Sequence, residues 1–310
     1  MRKYFVTGFY LLIIGGLLLL GGFLMGANRS VVWDHGFKVA QVLNETYPLS
    51  DFKNIYVEGR DTNVNIKFGD RYKIHIDGDK SQAPTYTVKD QTLTVSGGQQ
   101  KGRIGVDVLG NEEVTITIPM NKSLDSVNIR AANGSVHIND VTINDLVKST
   151  KDMDYDTNMF LTDTTINNIS KLNLYNADLS IKNSKIHNMN LIANAYSDIK
   201  AENSTITHSS FSMDESTLKI VQSNLDSIKS MSNQSKISLE KATLMNKNKF
   251  HLYSKGKFTG KAVSVDGLDL HTEDGIVRYF DKNAGNSYQN KVDSTNLLVV
   301  KATRGSIVIK

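Results

Sequence analysis

The side chains of this chain that could break a bond are its carboxylates and histidines, and their spacing sets what they could do. Glycoside cleavage needs two carboxylates held about 5–9.5 Å apart. Two sets of aspartates come near that requirement: Asp152, Asp154 and Asp156, and Asp178, Asp198 and Asp214. The first set crowds one acidic bend, where repulsion and solvation account for it. The second falls in turn-like positions, where aspartate bonds to nearby backbone. Tyr155, Phe160, Tyr175 and Tyr196 are the aromatic rings that could serve such a pair as a sugar platform. His187 and His208 stand about one repeat apart and could approach each other, but a metal site wants three or four ligands with second-shell support, so they read as surface turn histidines. No Gly-x-Ser-x-Gly elbow, phosphate loop or Gly-Gly-x-Gly-x-Asp calcium repeat is present. Cysteine is absent, which excludes disulfides, thiol catalysis, Cys-based metal sites and a lipobox cysteine. The expectation is a chain without catalytic, cofactor-binding or metal-binding residues, with a carbohydrate-active β-helix enzyme, lyase or hydrolase, acting on envelope glycans as the alternative.

The elements that would position these residues follow from a ten-residue pattern, small–x–apolar–x–apolar–x–x–small–x–apolar, found seven times. Its final apolar positions are Ile143, Ile166, Ile186, Ile206, Leu225, Leu244 and Val265, in steps of 23, 20, 20, 19, 19 and 21 residues. Seven positions earlier stand Val136, Met159, Leu179, Ile199, Leu218, Ile237 and Phe258; five positions earlier stand Ile138, Leu161, Ile181, Ala201, Ile220, Leu239 and Gly260. A spacing of two is the strand period and sends both columns to one face. Nine positions earlier the residue is always small, from Gly134 through Ser197 to Gly256, as a tight corner requires. Two positions beyond the end come turn formers, from Asp145 through Asn188 and His208 to Gly267. Units that bury their apolar side only against neighbours make a solenoid. The predicted fold is all-β: a right-handed single-stranded parallel β-helix with coils of about 20 residues, roughly ten to thirteen coils and about 50–60 Å long at the 4.8 Å strand spacing. In that stack Lys182 and Glu202 would be favourable cross-strand neighbours, and Lys200 and Lys219 unfavourable ones.

The compartment is read from the N-terminus. Arg2 and Lys3 precede an uncharged, mainly apolar run from Phe5 to about Ala27, long enough for a bilayer core of about 30 Å. With the positive flank inside, a single retained signal-anchor helix would leave the rest of the chain outside a bacterial cell membrane. Trp33 would lie at the outer interface. A cleaved signal peptide is the rival, with Gly26 and Ala27 as its small residues, but the run exceeds the usual length of such a segment. The exported part carries 34 Lys plus Arg against 32 Asp plus Glu, and without a basic, aromatic-interleaved cluster no nucleic-acid partner is expected. The expected partners are the membrane, through that helix, and a cell-wall or envelope protein or glycan.

The expected domains are 1–27, cytoplasmic tip and transmembrane helix; 28–50, a spacer; and 51–310, an extracellular solenoid. Within the solenoid, 51–130 holds less regular strands, 134–270 regular coils and 271–310 closing strands. Segments 99–110 and 280–295 break the pattern as a loop or cap and an insertion. The anchor followed by Trp33, the segments Phe52 to Val57 and Asn63 to Ile66, Gly69-Asp70, the run Tyr86 to Val95 and the recurrent Asn/Asp-Gly-Ser-Ile strands resemble the bacterial putative-adhesin family of β-strand-repeat domains of unknown function. The resemblance covers most of 50–310 and implies a non-catalytic β-helix-like domain outside the membrane, in a family linked to the envelope stress response. The Asn/Ser-rich, glycine-poor middle coils depart from that pattern.

Overall fold

The computed structural model describes residues 2–24, 31–33, 37–39, 41–60, 62–80, 83–97, 103–104, 112–149, 157–280 and 282–310. Helix α1 spans Arg2–Leu24, with side chains described continuously from 6 to 22. Among the described residues no helix is long and apolar enough to cross a membrane. The rest is all-β, in one many-stranded sheet system and one small sheet of three strands.

Each regular coil has three short strands, as in Leu179–Lys182, Lys185–His187 and Met189–Asn194. Each pairs in parallel with its counterpart in the next coil: Asp198–Glu202, Thr205–Thr207 and Ser210–Asp214. The coil is therefore a prism with three walls. The two columns read for the first wall are in register, Met159 on Leu179 on Ile199 on Leu218 on Ile237 on Phe258, and all are buried. The second wall holds Ile143, Ile166, Ile186, Ile206, Leu225 and Leu244. The third wall adds columns that the repeat pattern did not contain: Leu172, Leu191, Phe211, Ser230 and Phe250, and Leu174, Ala193, Met213, Ser232 and Leu252.

Two devices turn the chain at the corners. Left-handed residues recur: Asp163, Asn183, Asn203, Gln222 and Lys241 after the first wall, Asn188, His208, Ser227 and Asn246 after the second, and Glu215 and Gln234 after the third. Most are residue types that tolerate that conformation. The small residues beside them also form ladders. After the first wall Ser184 N–H donates to Ser204 Oγ (3.1 Å) and Ser204 N–H to Ser223 Oγ (3.0 Å), while each hydroxyl donates to the carbonyl two residues back. The small column from Ala177 to Ser235 does the same at another corner. Small size leaves room, and the hydroxyl satisfies backbone groups that a corner would otherwise bury unpaired.

Both ends are closed by strands inserted out of chain order. Thr62–Gly69 lies between Gly134–Asn139 and Glu112–Pro119, parallel to both. At the far end Leu297–Ile309 lies between Lys247–Lys261 and Gly267–Tyr279, again parallel to both. Glycines permit the approach: a Cβ on Gly134 would sit 2.5 Å from Thr62 O, and one on Gly305 would sit 1.9 Å from Gly256 O. The echoing Gly-containing strands are thus the layers that flank or form an insertion. Along the first wall eleven described strands stack in parallel, giving about 48 Å at the 4.8 Å spacing.

Antiparallel strands cover the outer edges. Lys73–Asp79 and then Val42–Pro48 cover one end, and Ser287–Asn290 pairs with 268–271 at the other. The insertion read at 280–295 is therefore a fold-back over the edge. Part of the expected spacer is also structure: Val42–Pro48 buries Leu43 and packs Tyr47 on the core. The segment 99–110 lies outside the described residues except for Arg103–Ile104, which pairs with Val31–Trp33.

Candidate functional site

The outward positions of the third wall collect cations toward the C-terminal end. Lys229 pairs in register with Lys249, Lys249 with Val299 and Val299 with Asp269; two residues along, Met231, His251, Lys301 and His271 form the next column. Lys247 stands two residues before Lys249 on the same strand, about 7 Å away and on the same face. Together Lys229, Lys247, Lys249 and Lys301 surround a groove of about 330 Å³ with Met231, Phe250, His251 and Val299. All four lysines are exposed, as is Met231 at 63%. Among the described residues none of the four ammonium groups has a carboxylate partner. Asp269, the one acid at the rim, accepts a hydrogen bond from Gln289 Nε2 at 2.9 Å. His251 stacks on Tyr253 with ring centroids 4.3 Å apart.

This groove belongs to a larger asymmetry. Residues 229–310 carry 14 Lys plus Arg against 7 Asp plus Glu, a formal +7, whereas 28–228 carry 20 against 25, or −5. A second cleft of about 520 Å³ at the same end is bordered by Lys257, Arg278, Lys310 and the exposed Phe280, with no acid among the described residues that line it. A near-neutral total conceals a sequence that is acidic over 28–228 and basic over 229–310. Such a field raises the local concentration of anions at the basic end.

The residues singled out by sequence are distributed differently. Asp152, Asp154, Tyr155 and Asp156 lie outside the described residues. Asp178 and Asp198 are exposed and precede paired residues on neighbouring coils, with Asp178 N–H bonded to Asn158 Oδ1 at 2.8 Å. Asp214 is on the third wall, accepting from Asn233 Nδ2 at 2.7 Å. Phe160 stacks on His137 at 4.5 Å, while Tyr196 occupies a left-handed corner, 74% exposed. None of these residues lines either cationic cleft.

His187 and His208 do meet, edge to face at 5.1 Å, and His187 also hydrogen-bonds Thr207. Both histidines act on the carboxyl of Asp226. Burial pushes its carboxyl up, but donors from Asn246 and Ser227 and the two histidines outweigh that and hold it below its ordinary value. Among the described residues no group of three or more His, Asp or Glu could hold a metal. Lys182 and Glu202 are in register, as are Lys200 and Lys219, but Glu202 forms its ion pair with Lys200 on its own strand at 2.9 Å. Two residues along one strand share a face, and that pair also offsets the repulsion between Lys200 and Lys219. The hydrogen bond from Lys200, more than the general field of nearby lysines, keeps the Glu202 carboxyl low.

The groove escaped sequence reading because its lysines come from three separated strands and meet only through register. The signal that would have found it is the opposite charge of the two parts of the chain.

Several solved structures of low identity are similar. A putative adhesin of Bacteroides fragilis is 14% identical, the match covering 87% of this chain and 97% of that one with a TM-score of 0.40. A putative adhesin of Parabacteroides merdae is 13% identical (86% and 96%; 0.41), and a putative lipid binding protein of Parabacteroides distasonis 12% identical (86% and 94%; 0.41). No curated protein matches the chain. A family model described as Toastrack DUF4097 matches residues 52–215, just over half of the chain and short of all four groove lysines; the chain belongs to that Toastrack family.

Proposed function

We propose that this protein is a non-catalytic binding module of the bacterial cell envelope, a right-handed β-helix held at the membrane by α1 with its basic end directed outward. The observation that carries the reading is the groove of four lysines, without a carboxylate partner among the described residues, at the end of the rod far from the N-terminal layers. The handedness follows the rule for parallel strands joined by crossovers in one sheet. Anchoring is supported by the sequence alone: the described part of α1 does not make a span, but the uncharged, mainly apolar run continues from Phe5 to about Ala27, a length that fits a bilayer core of about 30 Å. Its leucines Leu11, Leu12 and Leu17 to Leu20 are 60–75% exposed, a surface suited to lipid. Against catalysis stands the setting of the aspartates singled out by sequence: Asp178 and Asp198 are neighbours on the open face of the first wall, Asp214 is on the third wall bonded to Asn233, and none of them lines a cleft.

The test uses the full chain in neutral maltoside micelles mixed with lipid-free cell walls. The expected result is co-sedimentation that weakens as salt rises, because exposed charges are screened within about 10 Å at 0.1 M salt. Recovery of the chain wholly in the supernatant at low salt would overturn the reading.

A further inference from the structure

Resting on that reading, we infer that the groove formed by Lys229, Lys247, Lys249 and Lys301 binds a polymer of phosphodiesters, with successive phosphates held by ammonium groups on three adjacent layers. Three observations lead there. The first is the donor type. The groove presents four lysines and no arginine. Lysine binds phosphate as a point charge with rotatable donors, so it can follow an oxyanion along a flexible chain without the fixed two-pronged geometry that a guanidinium brings to carboxylate and phosphate alike.

The second is spacing. Lys247 and Lys249 are two residues apart on one strand, so about 7 Å separates their origins, and Lys229 and Lys249 lie on adjacent layers about 4.8 Å apart. Lys301 extends the set one layer further. The charges form a track across the wall and do not converge on one point, so a single small anion would leave most of them unused.

The third is the floor. Met231, 63% exposed, lies beside the cations, and the buried Val299 closes the floor next to Lys249; Met231 gives an apolar surface on which the carbon segments linking successive phosphates can rest. The second cleft, with Lys257, Arg278 and Lys310, lies on another wall at the same end and lets a long chain continue around the rod.

The test measures binding of poly(glycerol phosphate) to the full chain in maltoside micelles, beside poly(glutamate) of equal charge and inorganic phosphate. Wild type should bind the phosphodiester polymer at least tenfold more tightly than poly(glutamate), and inorganic phosphate should compete only at far higher phosphate concentration. Lys249→Glu/Lys301→Glu should weaken binding at least tenfold, and Lys185→Glu, an exposed position on the second wall of the acidic part, less than twofold. Both variants keep outward-facing side chains, and an unchanged thermal midpoint confirms the fold. Equal affinity for poly(glutamate), equal potency of inorganic phosphate, no polymer binding, or an unaffected double variant would each overturn the assignment. If walls still bind while the polymer does not, the assignment falls and the envelope-binding reading stands; if walls do not bind, that reading falls as well.

Discussion

Replacing Ser204 by alanine tests whether the corner hydroxyls hold the solenoid together or merely fit its corners. Ser204 is 3% exposed, and its Oγ accepts from Ser184 N–H at 3.1 Å while donating to Glu202 O at 2.7 Å. Alanine retains the Cβ, so the change creates little cavity. Glu202 O keeps a bond from Asn183 N–H at 3.0 Å. The Ser184 N–H is left buried without its acceptor, which costs about 1–3 kcal/mol. At 1.4 kcal/mol per factor of ten this is about 5- to 150-fold in the local opening equilibrium. Because each coil of a solenoid contacts only its neighbours, the loss should be confined to the coils around residues 184 and 204. Amide hydrogen exchange read by residue or short peptide is the appropriate assay, since local opening is what it measures. Ser184 should exchange faster by that factor, coils beyond 230 should be unaffected, and Ser204→Thr, the residue type already present at Thr164 in this column, should restore protection. Exposed Ser210→Ala serves as the control. Protection at Ser184 within twofold of wild type, or uniform loosening of the whole rod, would refute the role given to the hydroxyl ladder.

Further outcomes follow from the corners, the acid chemistry and the closed end. Asn203 has φ 51°, so Asn203→Val should cost about 1–2 kcal/mol and Asn203→Gly much less; equal urea midpoints for the two variants would contradict this. Asp226 lies below its ordinary pKa of 3.8 in the folded chain, so its contribution is present above the unfolded value and lost as pH falls through the native one. Asp226→Asn should therefore lose less stability than wild type between pH 5 and pH 2, about the range over which such groups titrate, a difference visible in urea melts. Ending the chain after Asn296 removes the strand lying between Lys247–Lys261 and Gly267–Tyr279 and leaves two unpaired edges over Phe250, Phe258 and Leu270. Limited proteolysis should then cut rapidly within 247–279 while coils from 177 to 226 stay resistant.

The first two walls were legible because their inward columns are almost purely apolar and alternate with polar positions at the strand period. The third wall was not, and particular residues show why. Ser230 and Ser232 occupy its core columns, 3% and 0% exposed, and tolerate burial by hydrogen-bonding each other at 2.9 Å. Lys148 occupies the same column nearer the N-terminus, fully buried, donating to Asn173 O at 3.0 Å. A hydrophobicity pattern has no means of recognising a core position filled by a self-satisfied polar group. Irregular register near Asp145 and Ile169 lengthens the early strands and blurs the boundary between second and third walls. The order of layers at each end was also hidden. The echo between the strands around Gly134, Gly275 and Gly305 was visible, but parallel pairing depends on which strands fit side by side and not on chain order.

That layer order creates the groove. Stacked in chain order, the strand containing Asp269 would follow directly on the strand containing Lys249, placing a carboxylate about 4.8 Å from the lysine's own rung and close enough to neutralise it. The inserted strand instead puts Val299 between them. Asp269 is displaced by a further layer, to about 9.6 Å, comparable with the screening length at physiological salt. In the neighbouring column the same insertion adds Lys301 between His251 and His271. One topological choice therefore closes the open end of the solenoid, removes the natural partner of Lys249 and contributes a fourth cation. On this argument, removing residues 297–310 should abolish both closure and anion binding, whereas Lys301→Gln, on the exposed face of the inserted strand, should leave the end closed and weaken binding alone, because it removes the cation that the inserted layer contributes. A folded Lys301→Gln chain that bound poly(glycerol phosphate) as tightly as wild type would show that the inserted layer serves only to seal the rod.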